Sequence, residues 1–159
     1  MVSFHDMYQK YGLDVYRYAF WLCRNRHDAE DIASETFVRA WAGSGRLHAE
    51  TLKGYLLTIA RNIWLDQLAR QKRMAPEPED ITDQGENPQE HAMKNEETAM
   101  VNRAISRLKD SDRQVLFLRY SEGLSCREIA DCLGITLSSV KVSLHRARKR
   151  LGARIQEES

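Results

Sequence analysis

All three prolines of this 159-residue chain fall between residues 76 and 88, inside its most acidic stretch. Residues 74–100 carry one Lys or Arg against eight Asp and Glu, among them Glu77, Glu79, Asp80, Asp83 and Glu86. Pro76, Pro78 and Pro88 remove backbone donors and oppose a helix. So polar a stretch buries too little apolar surface to offset the entropy of ordering it. A structureless segment of this length does not belong inside one compact domain. The pattern divides the chain into an N-terminal domain, 1–73, a flexible acidic linker, 74–97, and a C-terminal domain, 98–159.

Both flanking blocks read as helix. Strand signals are missing, because there is no sustained alternation and β-branched runs are few. Residues 4–24 predict one or two helices around Gly12. Asp28 is the expected cap of a helix running to about Ala42, where Gly43-Ser44-Gly45 ends it. Another helical stretch covers Thr51 to Lys72. After the linker, helical segments are expected at about 98–108, 111–121, 125–133 and 136–155. The last two are joined by Leu133-Gly134-Ile135, a short Gly-bearing turn that outlines a helix-turn-helix. The fold class is therefore all-α: two small helical domains on an acidic tether.

Charge and composition narrow the function. Residues 1–73 hold eleven Lys and Arg against eight Asp and Glu, and residues 101–159 hold twelve against seven. Two basic ends around an acidic middle suit polyanion partners. No apolar run approaches the length of a membrane span, and the N-terminus lacks a signal-peptide pattern, so a cytoplasmic protein without membrane insertion is expected. Cys23, Cys126 and Cys132 are odd in number and show no Cys-x-x-Cys spacing; they read as small apolar residues inside helices. The five His are scattered. There is no nucleophile–His–acid set, phosphate-cradling Gly loop or metal-ligand spacing, so neither catalysis nor a cofactor or metal is expected.

The last helix is the most informative stretch. Val140, Leu144, Ala147 and Leu151 recur at spacings of four, three and four and form one narrow buried stripe, with Thr136 as N-cap. The opposite face carries Ser138, Val142, His145 and Lys149, and Lys141, Arg146, Arg148 and Arg150 flank it. A helix of this kind enters the major groove, where a few side chains read base edges and flanking cations hold phosphates. Val142 on the wet face suits a thymine methyl. The bland alternative is a surface helix with solvated cations. Against it stands the preceding helix, whose Ile129, Ala130 and Leu133 share a face fit to pack on the reader.

The runs Leu124-Ser125-Cys126-Arg127-Glu128-Ile129-Ala130, Leu133-Gly134-Ile135, Ser139-Val140-Lys141 and His145-Arg146-Ala147-Arg148 resemble region 4 of sigma-70 family factors, in particular the short extracytoplasmic-function (ECF) group. The resemblance implies that this helix reads the −35 promoter element through Thr136, Ser138, Ser139, Lys141, Val142, His145, Arg146, Arg148 and Lys149. Val142 and Ser143 depart from the polar and basic residues more common there.

The helix 28–42 has Ala29, Ile32, Ala33, Thr36, Phe37 and Ala40 on its buried face and Asp31, Ser34, Glu35, Val38 and Trp41 on the other. An exposed Trp beside Val and carboxylates suits a protein interface; the alternative places Trp41 in the core beneath residues 43–50. The stretch resembles region 2.2 of the same family, which docks on a coiled coil of the largest polymerase subunit, and Asp31, Ser34, Glu35, Val38 and Trp41 match docking positions, with Ser34 in place of a frequent Gln. Residues 54–66 resemble regions 2.3 and 2.4, where strands open and the −10 element is read. Asn62 matches a position whose neighbourhood forms the loop that holds a flipped base, and its amide both donates and accepts; a capping or turn role is the alternative. Tyr55 and Leu57 stand where the family favours Trp and an aromatic. Arg61, Trp64, Arg70, Lys72 and Arg73 complete the implied −10 set, the cations facing phosphates along a single strand.

The resemblance implies core RNA polymerase and promoter DNA as partners, duplex at −35 and opened at −10, with a monomer in the holoenzyme and an anti-sigma factor as regulator. Two rivals remain. A dimeric helix-turn-helix repressor explains residues 111–155 but not the Asp31–Trp41 and Ile59–Asp66 patterns together. A sigma mimic that only sequesters another protein has no need of a basic reader helix.

Overall fold

A computed structural model of the chain describes residues 3–43, 51–74 and 96–158. The chain divides into two compact units, Met1–Asn87 and Pro88–Ser159. The division falls within residues 75–95, so the expected linker lies almost wholly outside the described residues. Its expected ends are each slightly inset, because Met74 closes one helix and Glu96 opens the next.

The first unit is a three-helix bundle of α1, Phe4–Cys23, α2, Arg26–Ala42, and α3, Leu52–Met74. Helix α1 is one continuous helix, capped by the Ser3 hydroxyl, which accepts from the Asp6 N–H at 3.1 Å. It passes through Gly12 without a break. A mid-helix glycine costs about 1 kcal/mol, and the fully buried Val15, Tyr18 and Ala19 beyond it outweigh that. At its end Arg24 adopts a left-handed conformation, φ 58°, and returns its N–H to the Phe20 carbonyl.

The cap of α2 is Asn25, not Asp28. Asn25 Oδ1 accepts from the Asp28 N–H at 3.1 Å, which leaves Asp28 as an acid in the first turn, where the helix dipole favours it. The buried face of α2 is Ala29, Ile32, Ala33, Thr36, Phe37 and Ala40, as its periodicity requires. The helix ends at Gly43, where a side chain would be crowded. A Cβ there would stand 3.1 Å from Tyr55 Oη and 3.3 Å from the Arg39 carbonyl. Helix α3 is capped by Thr51, whose hydroxyl accepts from the Gly54 N–H. Leu56, Leu57, Ala60 and Ile63 fill the bundle core, whereas from Leu65 onward α3 presents mostly exposed residues.

The second unit consists of α4, Glu96–Ser106, α5, Asp110–Leu116, α6, Cys126–Leu133, and α7, Leu137–Glu158. The expected helix 111–121 changes character at Phe117. Residues Phe117–Ser121 form a π-helical turn closed by the Glu122 N–H on the Phe117 carbonyl at 3.2 Å. The wider turn lets Leu118 and Leu124 both sink into the core. Ser125 and Glu128 form a reciprocal capping box on α6, each hydrogen bond 3.1 Å. Gly134, at φ 68°, ends α6 in the left-handed conformation that glycine adopts without strain. Thr136 then caps α7 by accepting from the Ser139 N–H. Val140, Leu144 and Ala147 are buried, and half-buried Leu151 joins Ile105, Leu108 and Leu116 beneath the helix.

Candidate functional site

With one face of α7 in the core, its other faces are fixed. Ser138, Ser139, Lys141, Val142, His145, Arg148, Lys149 and Arg150 are exposed, as is Thr136 at the cap. Val142 is 57% exposed, an apolar side chain kept in water among cations. The helix thus offers a central strip of Ser138, Val142, His145 and Lys149 between two basic flanks.

Arg146, expected on an outer flank, turns inward, and Ser143 is buried. Arg146 forks onto the buried carboxylate of Asp112, with Nε at 2.8 Å and Nη2 at 2.7 Å from its two oxygens. The guanidinium fork holds the Asp112 carboxyl below the usual carboxylate range; burial pushes the other way, and the Ser143 hydroxyl adds to the lowering. Arg146 therefore ties α7 to α5 and helps set how α7 sits, whereas the other eight residues of the expected −35 set are exposed. Its partner lies 34 positions away, beyond the reach of helical spacing.

The outer face of α2 carries Asp31, Ser34, Glu35, Val38 and Trp41, all exposed. Trp41 is 49% exposed, so it is not core. The Phe4 ring meets it edge-on at 5.8 Å. Phe4 also stacks on Tyr8 at 6.4 Å, and Tyr8 meets Phe37 at 5.1 Å. An aromatic rim on α1 thus continues the face. Sequence reasoning missed it, although Phe4 and Tyr8 stand at an i, i+4 spacing that puts both on one side. The acids of this face have neighbours on their own helix: the Arg39 guanidinium lies 2.6 Å from Glu35, and His27 Nε2 lies 3.5 Å from Asp31.

On α3, Asn62 is exposed in mid-helix, so it neither caps nor turns the chain. Residues 44–50, which precede α3 in the chain, lie outside the described residues. Arg61 stands over the Trp64 ring at 5.9 Å. Arg70, Lys72 and Arg73 are exposed on the last turns, Arg73 also donating to the Ala69 carbonyl. Leu57 is fully buried and has no surface on which a base could stack. Tyr55 is committed to the Gly43 carbonyl.

Among the described residues no cluster of His, Cys, Asp and Glu is placed to hold a metal, and no helix is long and apolar enough to cross a membrane. Burial pushes the Cys23 thiol up from its ordinary range, and it donates to the Asn25 carbonyl, the behaviour of an inert helix-end residue.

Residues 7–74 match the family description sigma-70 region 2, and residues 98–151 match sigma-70 region 4. Among curated proteins, the ECF RNA polymerase sigma factor SigE of Mycolicibacterium smegmatis is 33% identical over 95% of this chain, which spans 61% of that protein's length. The RNA polymerase sigma factor YlaC of Bacillus subtilis is 31% identical over 94% of this chain and 90% of its own. Among solved structures, the sigma factor RpoE in complex with the anti-sigma factor NepR from Bartonella quintana aligns with a TM-score of 0.71 at 24% identity, covering 95% of this chain and 97% of that one. CnrH in complex with the cytosolic domain of CnrY aligns with a TM-score of 0.64 at 22% identity, covering 98% and 89%.

Proposed function

This chain belongs to the sigma-70 family, in its extracytoplasmic-function group, and from that premise we propose that it is a transcription initiation factor that docks on core RNA polymerase and directs it to a specific set of promoters. It acts in the cytoplasm, as a monomer within the holoenzyme, and carries no catalysis of its own. The observation that carries this reading is the joint order of a region 2 match and a region 4 match on one chain, each falling on a folded helical unit.

In this reading α7 lies in the major groove at −35. Val142, His145 and Lys141 meet base edges, and Lys149, Arg148 and Arg150 contribute phosphate contacts. The Asp112–Arg146 pair holds the helix at a fixed rotation, so the strip meets the groove in one register. The first unit opens and reads −10. The exposed end of α3, with Arg61, Trp64, Arg70, Lys72 and Arg73, supplies an aromatic and a run of cations suited to a single strand. Asn62 presents its amide on the same helix for a base edge. Extruding a base costs a few kcal/mol, which favours a site assembled only when the polymerase holds both units on one promoter. Docking uses the outer face of α2, where Val38 and Trp41 offer apolar area next to Asp31 and Glu35. Two small readers on a tether bind a bipartite site well only when a scaffold fixes their separation. An anti-sigma factor that covers these faces until a signal arrives completes the reading; RpoE and CnrH were both solved with a protein partner.

Mapping transcript starts after forced expression tests the proposal. New starts that share one −35 and one −10 sequence support it. No new starts from a chain shown to bind the polymerase would contradict it.

A further inference from the structure

Tyr120 stands near the end of the π-helical turn and is 60% exposed, and it was not among the residues expected to contact DNA. Its hydroxyl accepts a hydrogen bond from Arg148 Nε at 2.6 Å, and the guanidinium carbon lies 5.6 Å from the centre of its ring. The hydrogen bond and the cation–π contact together hold the Arg148 side chain on the flank of α7. Arg148 and Lys141 are seven residues apart, about 20° apart around the helix axis, so this flank carries two cations in a row.

The donor count at the pair is the telling point. The tyrosine oxygen is acceptor in its bond to Nε, which leaves its own proton to donate elsewhere. Arg148 has used Nε, and among the described residues its two terminal amino groups have no partner and no carboxylate pairs with it. A hydroxyl proton and the edge of a guanidinium are thus held side by side at an exposed surface, unspent. A phosphate oxyanion satisfies both through charge-assisted bonds, which a neutral carbonyl does not offer. The π-helical turn, a feature often found at functional sites, is pinned by Arg119 Nη1 on the Leu124 carbonyl at 2.9 Å, which keeps Tyr120 on the outside.

We propose that Tyr120 and Arg148 form one preorganised phosphate clamp that grips a phosphodiester of duplex DNA beside the reader helix. The assignment rests on α7 facing duplex DNA. The clamp adds affinity and orientation but no sequence preference, because the phosphate is the same at every step.

The test measures binding of the full-length chain to a short fluorescent duplex of arbitrary sequence, across a salt series and without polymerase. It does not depend on the chain being active in transcription. Tyr120→Phe removes only the hydroxyl. It should weaken binding about fivefold, the loss of one hydrogen bond. Arg148→Ala should weaken binding further and reduce the salt slope by about one. Tyr120→Phe should then have almost no effect in the Arg148→Ala background, because the clamp is already broken. A thermal melt accompanies each variant. Unchanged duplex binding by Tyr120→Phe, or full additivity of the two substitutions, would overturn the proposal. So would a fall in melting temperature with duplex affinity retained, which would make the pair structural. A chain that shows the expected cycle here but supports no transcription would leave the clamp standing and refute the initiation-factor reading instead.

Discussion

Trp41→Ala separates a docking residue from a core residue by area. A tryptophan carries roughly 150–250 Å² of surface, and Trp41 leaves 49% of its surface open to water. Roughly 100 Å² is thus available to a partner, worth about 2.5 kcal/mol at ~25 cal/mol per Å². Truncation should weaken binding to core polymerase by roughly thirty- to a hundredfold. The covered part rests edge-on against Phe4, a contact whose loss costs about 0.5–1.5 kcal/mol beyond area, so the first unit should melt several degrees lower and remain folded at 25 °C. Phe37→Ala gives the contrast. Phe37 is 1% exposed in the bundle core, and its truncation should cost about 3–5 kcal/mol and unfold much of the unit. Val38→Asp gives the converse: Val38 is 62% exposed, so docking should fail while the melt hardly moves. Affinity is read by titration against core enzyme, with the melt of each variant measured in the same buffer. The reasoning is refuted if Trp41→Ala binds within threefold of the parent, or if its melt falls as far as that of Phe37→Ala.

Three further outcomes are expected. Replacing Val142 or His145 should reorder −35 variants in a promoter library by about 1–3 kcal/mol per altered contact, whereas Arg150→Ala should weaken all variants alike and lower the salt slope by about one; an unchanged ranking would mean that α7 is turned differently in the groove. Asp112 has a depressed folded pKa, so the stability it contributes is present above the ordinary carboxylate value of 3.8 and is lost as pH falls through the folded value; in acid melts followed by circular dichroism, Asp112→Asn should lower stability at neutral pH and flatten the drop below that value. Ser125→Ala removes half of the α6 capping box and should cost about 1 kcal/mol, seen as a drop of about 4–8 °C in the melt of the second unit.

The legible parts of the molecule are those written in local periodicity. The buried stripe of α7 and the buried face of α2 follow from spacings of three and four, and the structure buries those residues, Leu151 in part. The turn at Gly134 and the cap at Thr136 were equally local. What was not legible depends on a choice between neighbours or on distance. Asn25 and Asp28 are both good caps, and only the fold shows which one faces the free N–H groups. A π-helical turn at Phe117 has no signature apart from an apolar pattern that slips by one residue between Leu118 and Leu124. The inward turn of Arg146 needs Asp112, the clamp on Arg148 needs Tyr120, and the exposed rim at Trp41 needs Phe4; each partner lies on another element. Arginines on one basic helix look alike in sequence. The fold distinguishes Arg146, which positions the helix, from Arg148, held by a tyrosine, and from the exposed Arg150.

The central claim is that this chain, by itself, supplies promoter specificity to a polymerase that lacks it. Run-off transcription with purified core enzyme, the purified chain and templates carrying the starts mapped after its expression measures this directly. The account predicts discrete transcripts that need both the chain and the core enzyme, and that disappear when the −35 or the −10 element is scrambled. Core enzyme that responds to a control sigma factor on its own promoter, yet yields no specific transcript with this chain on any template, would contradict it.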